Sequence, residues 1–227
     1  MKSFKPSEID TVIFDMDGTV LDTLEDLRNS LNEILRSYEY PERTVEEVRA
    51  FVGNGIRKLI ERAVPEGISE NKSEIDSMFH DFSVYYNKHC MDNTAPYKGI
   101  IPLMHELKRA GYKLAIVSNK PDDAVKELNR YFFSDDIKVA IGEKKGVRKK
   151  PAPDTVIEAL RELGSEKENS VYIGDSDVDL KTAESSEMPC ISVLWGFRNK
   201  DFLLKNGAEH FAEKAEDIKL ILNIETK

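Results

Sequence analysis

The sequence has few cysteines and no long apolar run. Only two of its 227 residues are cysteine, Cys90 and Cys190, and neither belongs to a CxxC pair or lies at metal-ligand spacing from a histidine. A disulfide framework and a cysteine-based zinc site are therefore excluded. No run of about eighteen apolar residues is present, so we expect no membrane span. The first ten residues, MKSFKPSEID, lack the apolar segment of a signal peptide, and we expect a cytoplasmic protein.

Acidic residues outnumber basic ones. Lysine and arginine total 33 against 42 for aspartate and glutamate, which gives a formal net charge of -9 and a pI near 5.1. This balance disfavours attraction to a phosphate backbone, so we expect no nucleic-acid partner. Hydrophobic residues make up 40% of the chain, enough to build a sizeable core. The length allows one large domain, or one domain with an insertion.

Two carboxylates follow the first apolar run. Thr11 to Phe14 is β-branched and apolar but too short for a helix, so it predicts a buried strand. Asp15 would end that strand, with Asp17 two residues later, at the edge of the sheet where ligands of α/β proteins bind. Gly18 permits a tight turn there. Two acids this close need a cation, and oxygen donors suit Mg²⁺, so the segment predicts a magnesium site with a nucleophile in it. A calcium-type loop or a solvated acidic turn is the alternative.

A helical stretch comes next. Thr23 can cap a helix whose apolar residues recur at steps of three and four, and Pro41 would stop it. Further helical patterns, without a strand pattern between them, cover 45–51, 56–63 and 75–89. We therefore predict a separate helical domain over residues 22–95.

From residue 101 onward helices and strands alternate. We predict helices over 101–110, 122–131, 154–163 and 179–185, strands over 113–117, 138–141, 171–173 and 190–193, and a last strand and helix within 210–222. This alternation predicts a parallel sheet covered by helices on both faces. The predicted fold is thus a Rossmann-like α/β core of residues 1–21 and 96–227, into which the helical domain of residues 22–95 is inserted.

Polar residues follow two more of the predicted strands. Ser118 and Asn119, which can hydrogen-bond phosphate oxygens, follow one strand, and GDSDVD, with Asp175 and Asp179, follows another. Lys150 lies between them in a basic segment held by prolines. Each feature has a simpler alternative. Ser118 could cap a turn, the acids of GDSDVD could mark the start of a helix, and the basic run at 144–150 could be solvated. Because parallel strands end at the same edge of a sheet, we expect these side chains to converge.

In this order, the four elements resemble the motifs of the haloacid dehalogenase superfamily of phosphotransferases. DMDGT is similar to its DxDGT motif, Ser118 to its second motif, Lys150 to its third and GDSDVD to its GDxxxD motif. The inserted helices resemble the family's small helical cap, and VGNG at 52–55 and SVLWGF at 192–197 are most similar to its phosphoglycolate phosphatase-like members. Two turns depart from that pattern, since Glu187 replaces a usual glycine and Tyr97 and Lys98 stand before Gly99 where a proline is common.

The resemblance implies a mechanism. Asp15 would attack phosphorus to form an aspartyl-phosphate, and Asp17 would protonate the leaving alcohol and then activate water. Asp15, Asp17 (through its backbone carbonyl) and Asp175 would bind Mg²⁺. Asp179 would orient Lys150 or a metal-bound water. The phosphate group would be held by Gly18, Thr19, Ser118, Asn119 and Lys150.

The inserted domain would choose the substrate. Gly53, Asn54 and Gly55 form either a plain turn or a loop over the active site, with Arg57 or Lys58 meeting a substrate carboxylate. The expected function is Mg²⁺-dependent hydrolysis of a small phosphorylated metabolite, with phosphoglycolate as the leading substrate, by a monomer or homodimer. A phosphomutase, a pyrophosphatase or nucleotidase of similar fold, and a non-catalytic receiver-like module are the alternatives.

Overall fold

The computed structural model describes residues 5–224, which form two compact units. Of the described residues, one unit comprises 5–21 and 96–224, and the other comprises Asp22–Ala95. The strands are β1 (Thr11–Phe14), β2 (Leu21–Asp22), β3 (Ala95–Pro96), β4 (Lys113–Pro121), β5 (Val139–Glu143), β6 (Ser170–Gly174), β7 (Cys190–Val193) and β8 (His210–Ala212). The helices are α1 (Leu24–Ser37), α2 (Val45–Phe51), α3 (Ile56–Ala63), α4 (Lys72–His89), α5 (Ile100–Arg109), α6 (Asp122–Phe132), α7 (Asp154–Leu163), α8 (Asp177–Ser185), α9 (Lys200–Lys205) and α10 (Ala215–Ile221).

The first unit is built on a six-stranded parallel sheet. The order of its strands is β5-β4-β1-β6-β7-β8. β1 therefore lies between β4 and β6, with Phe14 level with Ile116 on one side and Ile173 on the other. The carboxyl ends of these three strands lie side by side at one edge of the sheet. The strand order changes direction beside β1, because β4 and β5 lie on one side of it and β6, β7 and β8 lie on the other. Open α/β sheets bind their ligands at such a position.

Both faces of this sheet are buried. Val12 and Phe14 point to one face and pack in a core with apolar residues of α5, α6 and α10. Ile13 points to the other face and packs with residues of α7, α8 and α9. The period of two residues places alternate side chains on opposite faces, so a strand covered on both sides must be apolar throughout. The predicted α/β fold is confirmed.

The second unit consists of α1 to α4. α1 contacts α2 and α4, and α3 contacts the same two helices. Apolar residues at helical spacing, such as Leu27, Leu31 and Leu35 of α1, are buried between them. A reciprocal capping box between Thr44 and Glu47 begins α2. None of the helices within residues 5–224 combines the length and apolar character of a membrane span.

Two details of α1 differ from the sequence prediction. Thr23 lies at the N-cap position, but its side chain makes no capping hydrogen bond, and the Leu24 N–H donates instead to Asp22 Oδ1 at 3.4 Å. The helix ends at Ser37, and Glu39 then adopts a left-handed conformation with φ of 59°. The chain has therefore left the helix before Pro41, so the prediction that proline ends it was wrong.

In the first unit, helix α9 was not predicted, because six residues are too few to show a clear helical period. Helix α8 begins at Asp177, two residues earlier than predicted, because Ser176 caps it. The turn at Glu187 keeps a left-handed conformation, with φ of 56°, although no glycine is present. The Met188 N–H still donates to the Ala183 carbonyl at 2.8 Å, so the helix-terminating turn is formed with a strained residue.

Candidate active site

The loop after β1 places the first two acids. The Asp15 N–H donates to the Ile173 carbonyl at 2.8 Å, which extends the pairing of β1 with β6. The Gly18 N–H donates to the Leu21 carbonyl at 2.9 Å and closes a tight loop. Gly18 has φ of 84°, and a Cβ there would lie 2.5 Å from Asp175 Oδ2. Only glycine therefore permits both the turn and the close approach of the loop to Asp175.

Lys150 is the cation at the centre of the site. The residue is 4% exposed, and its Nζ donates to Asp15 Oδ1 at 2.5 Å, to Asp179 Oδ1 at 2.8 Å and to the Tyr172 hydroxyl at 3.0 Å. Burial opposes the charged form of the lysine, but Asp15 and Asp179 raise the pKa of Lys150 well above its ordinary value. The lysine is thus a fixed positive charge beside the Asp15 carboxylate.

Three carboxylates share this small volume. One oxygen each of Asp15, Asp175 and Asp179 lies within 4.8 Å of the other two, and all three residues are buried. Burial, followed by the charge of Asp179, raises the pKa of Asp15 to about 7, although Lys150 opposes the shift. Burial and the charges of Asp179 and Asp15 likewise raise the pKa of Asp175 well above its ordinary value. Burial therefore disfavours the charged forms of Asp15 and Asp175, and the neighbouring carboxylates add to that effect.

Asp179 connects the fourth polar segment to the lysine. Its Oδ2 accepts hydrogen bonds from the N–H groups of Asp175 and Ser176 at 3.2 and 3.1 Å and from the Ser176 hydroxyl at 2.6 Å. Its Oδ1 is thereby directed at Lys150. The geometry suits the predicted role of Asp179 in orienting Lys150, a role that stays a prediction.

Asp175 is held by the segment after β7. The Phe197 N–H donates to Asp175 Oδ2 at 2.5 Å. Gly196 allows this approach, because a Cβ at Gly196 would lie 2.4 Å from the Asp175 side chain. The Trp195 Nε1 donates to the Thr19 carbonyl at 2.9 Å, so the same segment also supports the loop after β1. The SVLWGF stretch, singled out by resemblance alone, is thus part of the wall of the site.

The end of β4 supplies a hydroxyl. This strand continues to Pro121, four residues beyond its predicted end, with a shift of pairing register between Val117 and Pro121. Ser118 is 2% exposed, and its Oγ lies 3.4 Å from Asp17 Oδ2. The Asn119 side chain donates to the Lys150 carbonyl at 3.0 Å, which fixes the segment that carries Lys150. Thr19 is fully buried, and its hydroxyl has no hydrogen-bond partner among the described residues. The contacts of these three residues with phosphate stay predictions.

Two residues at the site were missed by the sequence analysis. Lys120 is 3% exposed, and its Nζ lies 3.0 Å from Asp17 Oδ1. Tyr172, in β6, donates its hydroxyl hydrogen to Asp179 Oδ1 at 3.1 Å. The signal for Lys120 was its position two residues after Ser118, since alternate residues of a strand face the same side. The signal for Tyr172 was a hydroxyl inside an otherwise apolar strand, where it needs a polar partner.

The loop predicted to meet the substrate lies in the helical unit. Gly53 and Gly55 have φ of 112° and 87°, as tight turns require. Asn54 Oδ1 accepts from the Arg62 guanidinium at 2.8 Å. The Arg57 guanidinium forms an ion pair with Asp76 and lies over the ring of Phe79. Arg57 would have to exchange Asp76 for a substrate carboxylate, and its predicted role in specificity stays a prediction.

Comparison with known proteins gives a consistent answer. Residues 12–193, which include all four polar segments, match the haloacid dehalogenase-like hydrolase family. The chain is 30% identical over 199 residues to phosphoglycolate phosphatase 1 of Pseudomonas aeruginosa, a match that covers 83% of this chain and 70% of that protein. It is 29% identical over 191 residues to the phosphoglycolate phosphatase of Aquifex aeolicus, with 82% and 85% of the two chains covered.

A solved structure agrees with these relatives. A provisionally named phosphoglycolate phosphatase of Lactobacillus delbrueckii subsp. bulgaricus superposes with a TM-score of 0.89 at 38% identity, over 93% of this chain and 98% of that one. Substrates of such enzymes are small phosphorylated molecules. The chain therefore belongs to the haloacid dehalogenase-like hydrolase family, and it is a phosphatase.

Proposed function

We propose that this phosphatase hydrolyses small phosphomonoesters through an aspartyl-phosphate on Asp15, with Mg²⁺ as its cofactor. The observation that carries the proposal is the Asp15 carboxylate at the end of the central strand, with its Oδ1 2.5 Å from Lys150 Nζ in a buried site. A nucleophile and a cation for the phosphoryl oxygens are then already together.

The donor set suits a divalent cation. The buried oxygens of Asp15, Asp175 and Asp179 are hard ligands that converge, and burial raises the pKa values of Asp15 and Asp175, so a cation held between them would favour their charged forms. Asp15, Asp175 and the backbone carbonyl of Asp17 would hold the ion. When bound, Mg²⁺ would offset the repulsion between the phosphate group and the carboxylates.

The chemistry would take two steps. In the first, an Asp15 oxygen bonds to phosphorus, the bond to the leaving oxygen breaks with its electron pair, and Asp17 gives that oxygen a proton. In the second, water attacks phosphorus, Asp17 takes a proton from the water, and the bond to Asp15 breaks to release phosphate. Throughout, Ser118 and Lys150 would contact the phosphoryl oxygens, because charge spreads over them in the transition state.

The names of the relatives support a substrate. The Pseudomonas and Aquifex proteins are both phosphoglycolate phosphatases. We therefore propose 2-phosphoglycolate as the first ester to test, ahead of pyrophosphate, nucleoside monophosphates and sugar phosphates.

The experiment is a phosphate-release assay with Mg²⁺ on a panel of these four substrate classes and an aryl phosphate. Asp15→Asn is expected to lower kcat by about 10⁴-fold or more, since loss of a nucleophile removes the covalent route. Asp10→Asn is the matched control, because Asp10 is exposed and lies immediately before the opposite end of β1. Full activity in Asp15→Asn, with a normal circular dichroism spectrum, would refute the role of Asp15. Isomerisation of a sugar phosphate without phosphate release would favour a mutase.

A further inference from the structure

Lys120 is a second buried cation at the site, and the mechanism above leaves it without a role. Its side chain is 2% exposed, whereas that of Asp17, its partner at 3.0 Å, is 20% exposed. A lysine is almost never buried this completely unless it is paired. The ammonium is therefore more deeply buried than the carboxylate that it pairs with.

The backbone of Lys120 is held by its neighbours. Its N–H donates to Ser118 Oγ at 3.1 Å. Gly142 of β5 packs so closely that a Cβ there would lie 2.6 Å from the Lys120 carbonyl oxygen. The Gly142 N–H in turn donates to Asp122 Oδ1 at 2.9 Å. The segment that carries the ammonium is thus fixed to the edge of the sheet before any substrate binds.

The two oxygens of Asp17 have different neighbours as a result. Oδ1 lies 3.0 Å from the Lys120 ammonium, and Oδ2 lies 3.4 Å from the Ser118 hydroxyl. A carboxylate paired through one oxygen with a fixed cation cannot rotate freely. The direction of its other oxygen is then determined by the protein.

We propose that Lys120 is a positioning residue that aims Asp17 at the leaving oxygen of the substrate, an inference that rests on the proposed function. In the first step, the bond from phosphorus to the leaving oxygen breaks, its electron pair stays on that oxygen, and Asp17 supplies the proton. Asp17 becomes a carboxylate as it does so, and the ammonium of Lys120 already faces the charge that forms.

The inference predicts a dependence on the leaving group. An alcohol leaves poorly unless it is protonated, so hydrolysis of an alkyl phosphate needs Asp17 in the correct orientation. A nitrophenolate is stable as an anion and needs little help. Loss of Lys120 should therefore slow hydrolysis of alkyl phosphates much more than that of activated aryl phosphates.

The test measures kcat/KM of Lys120→Met for aryl phosphates whose phenols differ in acidity and for an alkyl phosphate. The expected loss is about 10²-fold for the alkyl ester and under about tenfold for 4-nitrophenyl phosphate, within the range of general acid catalysis. Lys120→Arg should restore part of the loss on the alkyl ester. Lys113→Met, at the opposite and exposed end of β4, is the matched control and should behave as the wild type.

A double-mutant cycle completes the test. In an Asp17→Asn background, Lys120→Met should cause no further loss on the alkyl ester, because the group it positions is gone. Equal loss on every ester, or full additivity with Asp17→Asn, would overturn the inference. If Lys120→Met fails to fold, as judged by its melting temperature, Lys120→Gln is measured in its place. If the wild type released no phosphate, the proposed function itself would be contradicted.

Discussion

Asp15 of the α/β unit and Asp26 of the helical unit are both buried acids, but their surroundings differ. Asp26 is 2% exposed, and its carboxylate accepts hydrogen bonds from four donors: the N–H of Asn93, which is shared between both oxygens, the Asn93 side-chain amide, and the N–H and hydroxyl of Thr94. Asp15 is 6% exposed, and its carboxylate faces one lysine together with Asp175 and Asp179.

The surroundings of Asp26 suit a structural role, whereas those of Asp15 suit a functional one. Hydrogen-bond donors replace the lost hydration of Asp26, so its charge is compensated within the protein, and it ties the start of α1 to the end of the unit. Asp15 differs because its carboxylate pairs with Lys150 but also faces the like charges of Asp175 and Asp179. Burial and Asp179 therefore raise its pKa to about 7. A buried carboxylate with a raised pKa is typical of a site that binds a cation or a substrate.

The largest expected effect concerns Asp26. Replacement of Asp26 by Ala should lower the free energy of unfolding by about 3 kcal/mol, because the buried donors of Asn93 and Thr94 lose their acceptor. Urea denaturation followed by circular dichroism measures the change. Glu66→Ala is the control, since Glu66 is an exposed acid of the same unit and its replacement should change stability by less than about 0.5 kcal/mol. If both substitutions lowered the free energy of unfolding equally, the structural role of Asp26 that distinguishes it from Asp15 would be contradicted.

The next effect is the response of stability to Mg²⁺ and pH. The pKa of Asp15 is raised to about 7, so the folded protein binds this proton more tightly than the unfolded chain does. Its contribution to stability is fully present below the unfolded pKa, at about pH 4, and is lost as the pH rises through about 7. Mg²⁺ should therefore stabilise the protein by about 1 kcal/mol more at pH 8 than at pH 5.5, or about 2–4 °C in Tm.

Thermal melts with Mg²⁺ or with a chelator, at the two pH values, measure this difference. Asp175→Asn should reduce it, because Asp175 is one of the three converging carboxylates. A Mg²⁺ effect that is the same at both pH values would contradict the explanation that the ion replaces protons on this cluster.

The smallest effect is on the stability of the metal-free protein. Asp15→Asn should leave the free energy of unfolding unchanged or raise it by up to about 1 kcal/mol at pH 8, because it removes one of three like charges. This is the opposite sign to that expected for Asp26→Ala. Urea denaturation with a chelator present is the measurement, and a loss above about 1 kcal/mol would show that the Asp15–Lys150 pair supports the fold.

Much of the fold was readable from local patterns. The four-residue strand β1 is buried at every position and apolar from Val12 to Phe14, and helices α2, α3 and α7 have the predicted bounds. Helix ends were less predictable, as Glu39 and Glu187 show. Both adopt left-handed conformations without being glycine, because the surrounding chain imposes the turn.

The sequence by itself determined which polar residues follow the buried apolar runs, because an apolar run and the polar residue after it are adjacent in the chain. Asp15, Ser118 and Asp175 could be named for that reason. Only the tertiary structure decided how those groups pair. Lys150 meets Asp15 across 135 positions of the chain, Lys120 meets Asp17, and Tyr172 meets both Lys150 and Asp179. Such pairings depend on which strands are neighbours in the sheet and on how deeply each charge is buried, and neither property is encoded in local spacing.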